Sequence, residues 1–284
     1  MSQPLKIVIT SANCFTAGLL IPALKAKGYY TIGLIRNPQT IESDETITNW
    51  MNNDKAKRAL QDADHIIHLS GEINSKKEAV YIQANKTSTQ IVAEAASVGK
   101  ARRLIFLSYP GADACSKNLY LRYKGEAEKI LSAAGKEAVI FRCPIIIDSP
   151  DKPSRIDTLF ISQNGKAIPV IGDGRQMMQP VYRGDVVKMI VSALEHGDPG
   201  IYELSGPERL SLTGFVQLVN QNPAVKIRYT APWLAKLLAN FIKGLSTTFV
   251  DILLNHADSE FTPATYKKFG IQPTSLTTLW SRRQ

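Results

Sequence analysis

The sequence predicts an α/β fold: a doubly wound parallel sheet with a smaller C-terminal region. Two observations carry this. In the first half, short runs of β-branched and aliphatic residues alternate with helical stretches, and the runs are apolar throughout, as strands covered on both faces must be. After Pro144 the texture changes, with three prolines between 144 and 153 followed by turn glycines. The expected organisation is a Rossmann-type dinucleotide-binding domain over 1–148, to which 179–206 returns, and a mixed substrate-capping region over 149–284.

Element by element, "KIVIT" (6–10) reads as the first strand, and "AGLLIPALKAKG" as a helix ending near Gly28. "YTIGLIR" (30–36) and "ETITNW" (45–50) follow as strands two and three. "DKAKRALQDA" is a helix, "HIIHLS" (65–70) the fourth strand, and "EAVYIQANKTSTQIVAEAASVG" a long helix. "RLIFLS" (103–108), a helix over 120–135 and "AVIFRCP" (138–144) complete the alternation. Further on, a helix starts near Asp185 and "GIYELSG" is another strand. In "APWLAKLLANFIKGLSTTFVDILL", Trp233, Leu237, Phe241 and Leu245 recur every four residues, which predicts a helix packed on its own domain. Lys236 and Lys243 beside that stripe keep a peripheral membrane or protein contact through 231–254 open as the alternative.

The bulk figures narrow the function classes. With 34 basic against 25 acidic residues the net charge is +9, which suits anionic ligands, but no Lys/Arg run or module marks a nucleic-acid partner. The three cysteines, Cys14, Cys115 and Cys143, are too far apart for a disulfide framework or zinc site, and four scattered histidines add no metal pattern. A strand begins within the first ten residues and no apolar run reaches bilayer length, so a cytoplasmic location is expected.

The turn after strand one, "TSANCFTAG", holds the first functional question. A dinucleotide pyrophosphate rests on backbone N–H groups at the first helix's N-terminus, and glycines there allow a tight turn and close approach. Here the glycine positions are Ser11, Cys14 and Ala17, all small. Where φ must be positive, a residue with a Cβ costs about 1–2 kcal/mol, a loss of roughly tenfold that a cofactor with many contacts survives. At the end of strand two, where NAD-preferring sites place an acid, stands Arg36, which favours the 2′-phosphate of NADP(H).

Tyr120 and Lys124 lie four apart on one helical face. A lysine ammonium one turn from a tyrosine lowers its pKa and lets it exchange a proton with a carbonyl. Tyr123 lacks a lysine at that spacing. Ser108, at the end of strand five, is the candidate hydroxyl donor to the substrate oxygen.

"LIRNP", "HLSG", "LSYPGAD" and the Tyr120–Lys124 pair together resemble the short-chain dehydrogenase/reductase superfamily, of the extended and atypical kind. "YLRYKGEAEKIL", "FRCPIIID", "IPVIGDGRQMMQPVYRGDVVKMI" and "YELSGPERLSLTGFVQLV" are similar to its branch around the NADPH-carrying accessory subunit of respiratory complex I, close to NmrA-like and epimerase-like proteins. The resemblance implies that Ser11, Asn13, Cys14, Phe15 and Thr16 cradle the pyrophosphate and that Arg36 reads the 2′-phosphate. It sets Asn49 and Trp50 by the adenine, Ser70 and Gly71 along the cofactor, and Pro144 near the nicotinamide. Tyr120 and Lys124 match the catalytic pair. Gln179, Val181 and Asp185 support the interface with the C-terminal region, whose stretches 150–180 and 225–270 would set specificity. The implied activity is NADP(H)-dependent reduction or oxidation of a small molecule at a carbonyl or activated double bond. The alternative is a non-catalytic NADP(H)-binding assembly factor, scaffold or redox sensor. Epimerisation of a nucleotide sugar is disfavoured by Arg36, since a tightly held NAD would want an acid there.

Overall fold

Seven parallel strands form the central sheet of the computed structural model, which describes residues 3–153, 158–255 and 259–281. They are β1 (Lys6–Thr10), β2 (Tyr30–Leu34), β3 (Glu45–Ile47), β4 (His65–His68), β5 (Arg103–Ser108), β6 (Glu137–Arg142) and β11 (Gly200–Glu203), in the spatial order β11-β6-β5-β4-β1-β2-β3. Alternate residues of each strand serve two different cores. Ile7, Ile9, Ile67, Ile105, Val139 and Phe141 face one side, and Val8, Ile66, Leu104, Phe106 and Ile140 the other. Both faces are therefore apolar, which is why the strands read as unbroken hydrophobic runs.

Helix α1 (Ala17–Ala26) packs on the first face through Leu20, Ile21 and Leu24, together with α6 (Arg183–Ser192). The second face is covered by α2 (Asp54–Gln61), α4 (Ser88–Val98) and α5 (Leu119–Ser132). A short α3 (Glu78–Tyr81) runs into α4 through a π-helical segment, Ile82–Thr87. Arg103 ties α6 to the sheet: its guanidinium donates to the carbonyls of Ala193, His196 and Gly197, while Glu137 accepts from Nε at 2.7 Å. A cation at those final carbonyls complements the helix dipole and guides the chain from α6 into β11.

The remaining chain builds three small two-stranded ladders: β7 (Ile146–Ile147) with β10 (Val181–Tyr182), β8 (Ile168–Ile171) with β13 (Ile227–Thr230), and β9 (Met177–Met178) with β12 (Leu210–Ser211). They enclose a separate core with α7 (Leu212–Asn220) and α11 (Leu276–Ser281), centred on Phe160, Phe215 and Trp280. Tyr266 and Phe269, in and after α10 (Pro263–Lys268), pack into the core beneath the main sheet, so the C-terminal stretch itself crosses back to the first domain.

The tail departs from its expected packing. It forms two helices, α8 (Pro232–Ala239) and α9 (Thr247–Asn255), instead of one. Trp233 is 68% exposed, Leu237 49% and Phe241 79%, so these three face outward, while Leu245 packs inward as expected. The inward positions are the small Ala235 and Ala239, which pack with Val250 and let α8 lie close to α9.

Gly125 shows how tightly α5 is held. A Cβ there would overlap the backbone of Asp113 and Ala114, so that loop crosses α5 directly beside Lys124. Gly125→Ala should lower stability by about 1–3 kcal/mol in denaturant unfolding, as overpacking does, whereas Gly18→Ala, which meets nothing within 4 Å, should not. Equal stability of the two variants would contradict the close crossing.

Candidate functional site

The strand order reverses between β1 and β4, which opens a crevice at their C-terminal ends, the usual ligand position in such sheets. A hydrogen-bonded chain lines it. Ser11 Oγ meets Ser70 Oγ at 2.9 Å, Ser70 Oγ donates to Thr10 Oγ1 at 3.1 Å, Thr10 Oγ1 meets His68 Nδ1 at 2.8 Å, and His68 Nε2 meets Thr89 Oγ1 at 3.0 Å. Burial lowers the His68 pKa to about 3, so the imidazole is neutral and offers one donor and one acceptor. Thr89 gives its own proton to the Asn85 carbonyl and must accept from Nε2–H. Nδ1 then accepts from Thr10, Thr10 from Ser70, and Ser70 from Ser11. A single arrangement of protons satisfies the whole chain.

Ser11 adopts φ 48°, the left-handed conformation that glycine would otherwise supply. Cys14 N–H closes the turn on the Ser11 carbonyl at 2.8 Å. The N–H groups of Ala17 and Thr16 point at the Cys14 thiol and favour its ionisation, but burial outweighs them and raises its pKa. A neutral thiol therefore lies on the N–H groups at the start of α1. Asn13 is turned to Gln39, donating from Nδ2 at 3.0 Å. Phe15 lies under the Arg183 guanidinium, 4.1 Å from ring centroid to Cζ, and its carbonyl accepts from Nη1 at 3.1 Å. Arg183 in turn pairs with buried Asp148 at 2.6 Å. Thr16 is buried at the helix start.

On the other wall, a cavity of about 380 Å³ is lined by Cys14, Phe15, Thr16, Gly71, Ser108, Tyr120, Lys124 and Pro144, and closed by Phe249 and Ile252 of α9. A second hollow of about 220 Å³, bordered by Asn13, Cys14, Gly18 and Gln39, lies on the far side of Cys14. The Tyr120 ring packs edge-on against Tyr109 at 5.4 Å, and the buried Tyr109 hydroxyl has no hydrogen-bond partner among the described residues. Lys124 Nζ donates to the Leu107 carbonyl at 2.8 Å and the Ser70 carbonyl at 3.4 Å. It sits 4.4 Å above the Phe106 ring and 5.9 Å from that of Tyr120. A Cβ at Gly71 would meet this amine at 3.0 Å and Asn85 Oδ1 at 3.1 Å, so the glycine gives the lysine its room.

The electrostatics differ from expectation. Burial raises the Tyr120 pKa well above 10.0, with Tyr109 adding to it, instead of Lys124 lowering it. Lys124 itself is lowered to about 7 by desolvation, which Glu128 only partly opposes. Ser108 borders the cavity but spends its hydroxyl on Glu128 Oε1 at 2.5 Å. Arg142 holds the same carboxylate at 2.9 and 2.7 Å. Tyr123 points away from the site, donating to Glu78 at 2.7 Å.

At the end of β2, Arg36 is exposed and forms no ion pair among the described residues. Its carbonyl accepts from Asn49 N–H at 3.0 Å, which brings Asn49, at φ 50°, beside it. Trp50 does not join them: it is 3% exposed and fills the core behind β3. Three residues that the sequence reading overlooked complete the site. His68 and Thr10 orient the hydroxyl chain, and Asn85, turned inward by the π-helical segment, holds the loop after Gly71 through the Glu72 carbonyl at 3.2 Å and Glu72 N–H at 3.4 Å. The histidine inside the apolar run "HIIHLS" was the available signal.

This sheet and crevice define a class. The model of the NAD dependent epimerase/dehydratase family matches residues 7–205, and the chain belongs to that family. Its sequence is similar to subunit 9 of the alpha subcomplex of mitochondrial NADH dehydrogenase [ubiquinone] 1 from Arabidopsis thaliana, at 31% identity over 159 residues, 55% of this chain and 39% of that protein. The matched part thus spans about two fifths of that relative. Among solved structures, UDP-glucose 4-epimerase of Thermotoga maritima with UDP-glucose superposes with a TM-score of 0.76 at 16% identity, covering 97% of this chain and 96% of that one. UDP-glucuronic acid 4-epimerase of Bacillus cereus, in complex with NAD, gives 0.73 at 18% identity over 97% and 96%. These structures share the extended short-chain dehydrogenase/reductase fold.

The buried lysine makes a pH test available. A lysine that is protonated up to 10.5 when unfolded but only to about 7 when folded binds fewer protons in the native state between those values. Stability from this group therefore rises with pH across that window. Relative to Lys124→Met, the wild type should gain stability as pH increases from about 7. Parallel pH–stability curves for the two proteins would show that the lysine is not desolvated.

Proposed function

We propose that the protein is an NADP(H)-dependent oxidoreductase that reduces a carbonyl or activated double bond, with Tyr120 as proton donor. The observation that carries this is the position of Tyr120 on the wall of a cavity that Lys124 and Pro144 also border, with Lys124 Nζ 5.9 Å from its ring. The residues fit a dinucleotide at the backbone level. The turn keeps a left-handed residue at Ser11, and hollows lie on both sides of Cys14. Backbone N–H groups of the turn 11–16 would hold the pyrophosphate, Arg36 with Asn49 the 2′-phosphate, and Lys124 with Pro144 the nicotinamide riboside. The bound cofactor would supply hydride. Burial keeps Tyr120 protonated, which suits giving a proton in reduction better than taking one in oxidation. Lys124, one turn along α5, is close enough to stabilise the phenolate left behind.

The second reading, a non-catalytic NADP(H)-binding protein, is favoured by a different observation. Ser108, the expected donor to the substrate oxygen, is committed to Glu128. The sequence likeness to a respiratory complex subunit points the same way.

Titration with NADPH and NADH, followed by nicotinamide fluorescence and melting temperature, should give tighter binding of NADPH. With a carbonyl substrate panel, Tyr120→Phe should lower turnover by about 10²–10⁴-fold while leaving NADPH binding within a few-fold of wild type. NADPH binding without turnover on any substrate would select the second reading. Cys14→Gly should tighten NADPH binding by about tenfold, because it clears the thiol from the α1 N–H groups. Unchanged affinity in that variant would mean that the phosphate does not rest there.

A further inference from the structure

The outward face of α8 has no covering element, and it is the most apolar surface on the molecule that the fold leaves unexplained. Trp233, Leu237 and Phe241 fall at helical spacing, joined by Leu238 at 38% exposure and Ile242 at 46%. The helical turn continues past Ala239: Phe241 and Ile242 N–H groups both donate to the Leu238 carbonyl, at 2.9 and 2.8 Å, so all five side chains share one side. The loop after β4 braces this segment, with Lys76 Nζ on the Asn240 carbonyl at 2.9 Å and Asn74 Nδ2 on that of Gly244 at 2.6 Å.

Charge decides what covers the face. From Arg209 to Val250 the chain contains five basic residues, Arg209, Lys226, Arg228, Lys236 and Lys243, and no Asp or Glu. The next acid, Asp251, is taken by Lys236 at 2.7 Å. Lys226, Arg228 and Lys243 have no carboxylate partner among the described residues, and Lys76 adds another cation at the rim. A second copy docking through the same face would bring like charges together on a chain that already carries +9. An anionic lipid surface complements both parts, because aromatic and aliphatic side chains enter the acyl boundary while lysines remain at the headgroups.

We propose that α8 and the turn after it dock this protein peripherally on anionic membranes, with Trp233, Leu237 and Phe241 inserting and Lys76, Lys236 and Lys243 at the headgroup level. No helix among the described residues is long and apolar enough to cross a membrane, so the contact is interfacial. Helix α9 lies between this face and the cavity, packing on α8 through Val250 while Phe249 and Ile252 close the cavity. The docked surface would therefore sit one helix away from the site.

Trp233 also provides the probe. The other two tryptophans, Trp50 and Trp280, are 3% and 1% exposed, so an emission shift on adding lipid reports Trp233. The full chain should co-sediment with phosphatidylcholine vesicles containing about 30% phosphatidylglycerol, with a blue shift in tryptophan emission, and bind pure phosphatidylcholine at least roughly tenfold more weakly. High salt should weaken the binding. The double variant Leu237→Ser/Phe241→Ser and the single variant Lys243→Glu should each weaken it, the former by about tenfold or more, while keeping the wild-type melting temperature. Absence of sedimentation and emission shift with the anionic vesicles would overturn the proposal, as would full binding by the serine variant. A concentration-dependent dimer that the serine variant abolishes, without vesicle binding, would assign the face to a second copy instead.

Discussion

Burying His68 between β4 and α4 leaves it one protonation state, and the geometry of the crevice follows from that restriction. A neutral imidazole fixed between two threonines dictates the direction of each neighbouring O–H bond. Ser11 consequently gives its proton inward to Ser70, and its oxygen faces the crevice with lone pairs alone. That inward bond also anchors Ser11 in a backbone conformation that costs a side-chain-bearing residue about 1–2 kcal/mol. A hydrogen bond between two hydroxyls contributes on the order of 1 kcal/mol, comparable to the strain it opposes. The turn is thus braced by side chains, where a glycine turn would rely on conformational freedom.

A second column of side chains runs along α5. Tyr120, Lys124 and Glu128 recur every four residues, so phenol, amine and carboxylate stack on one side of the helix. Only the last is neutralised by a full partner, through the fork of Arg142. Lys124 is compensated by carbonyl oxygens and the Phe106 ring, which solvate an ammonium less well than water. Its lowered pKa and the raised pKa of Tyr120 have the same origin in exclusion of solvent by the surrounding tyrosines and α9.

The main sheet was legible in the sequence because each of its longer strands contacts two cores, leaving unbroken apolar runs between turn residues. The small replacements at Ser11, Cys14 and Ala17 were legible as a phosphate-type turn, but a sequence does not reveal which of them carries positive φ. The thiol's position on the α1 N–H groups was likewise hidden. Trp50 was assigned to the adenine by family position, yet a large aromatic just past β3 serves the core behind the sheet. In the tail, Trp233, Leu237 and Phe241 of the four-residue repeat face outward and only Leu245 packs inward. Large side chains suggested an inward stripe, whereas Ala235 and Ala239, easily passed over as fillers, are the contact residues. Return of Tyr266 and Phe269 to the main core depends on long-range packing that no local pattern encodes.

The position of β11 has a consequence for how the chain reaches this state. Its partner, β6, ends at Arg142, but β11 begins at Gly200, after strands β7 to β10 and helix α6. During synthesis β6 therefore emerges well before the strand that covers its outer edge, and the hydrogen-bonding groups along Val139, Ile140 and Phe141 wait unpaired. Arg103 cannot complete its fork until the carbonyls of residues 193–197 arrive, so the same delay postpones burial of its charge. The nascent protein passes through a stage in which six of the seven strands have been made and one open, apolar rim is exposed to other chains. Synthesis order, and not only the final packing, sets the stage at which this molecule is most vulnerable to aggregation.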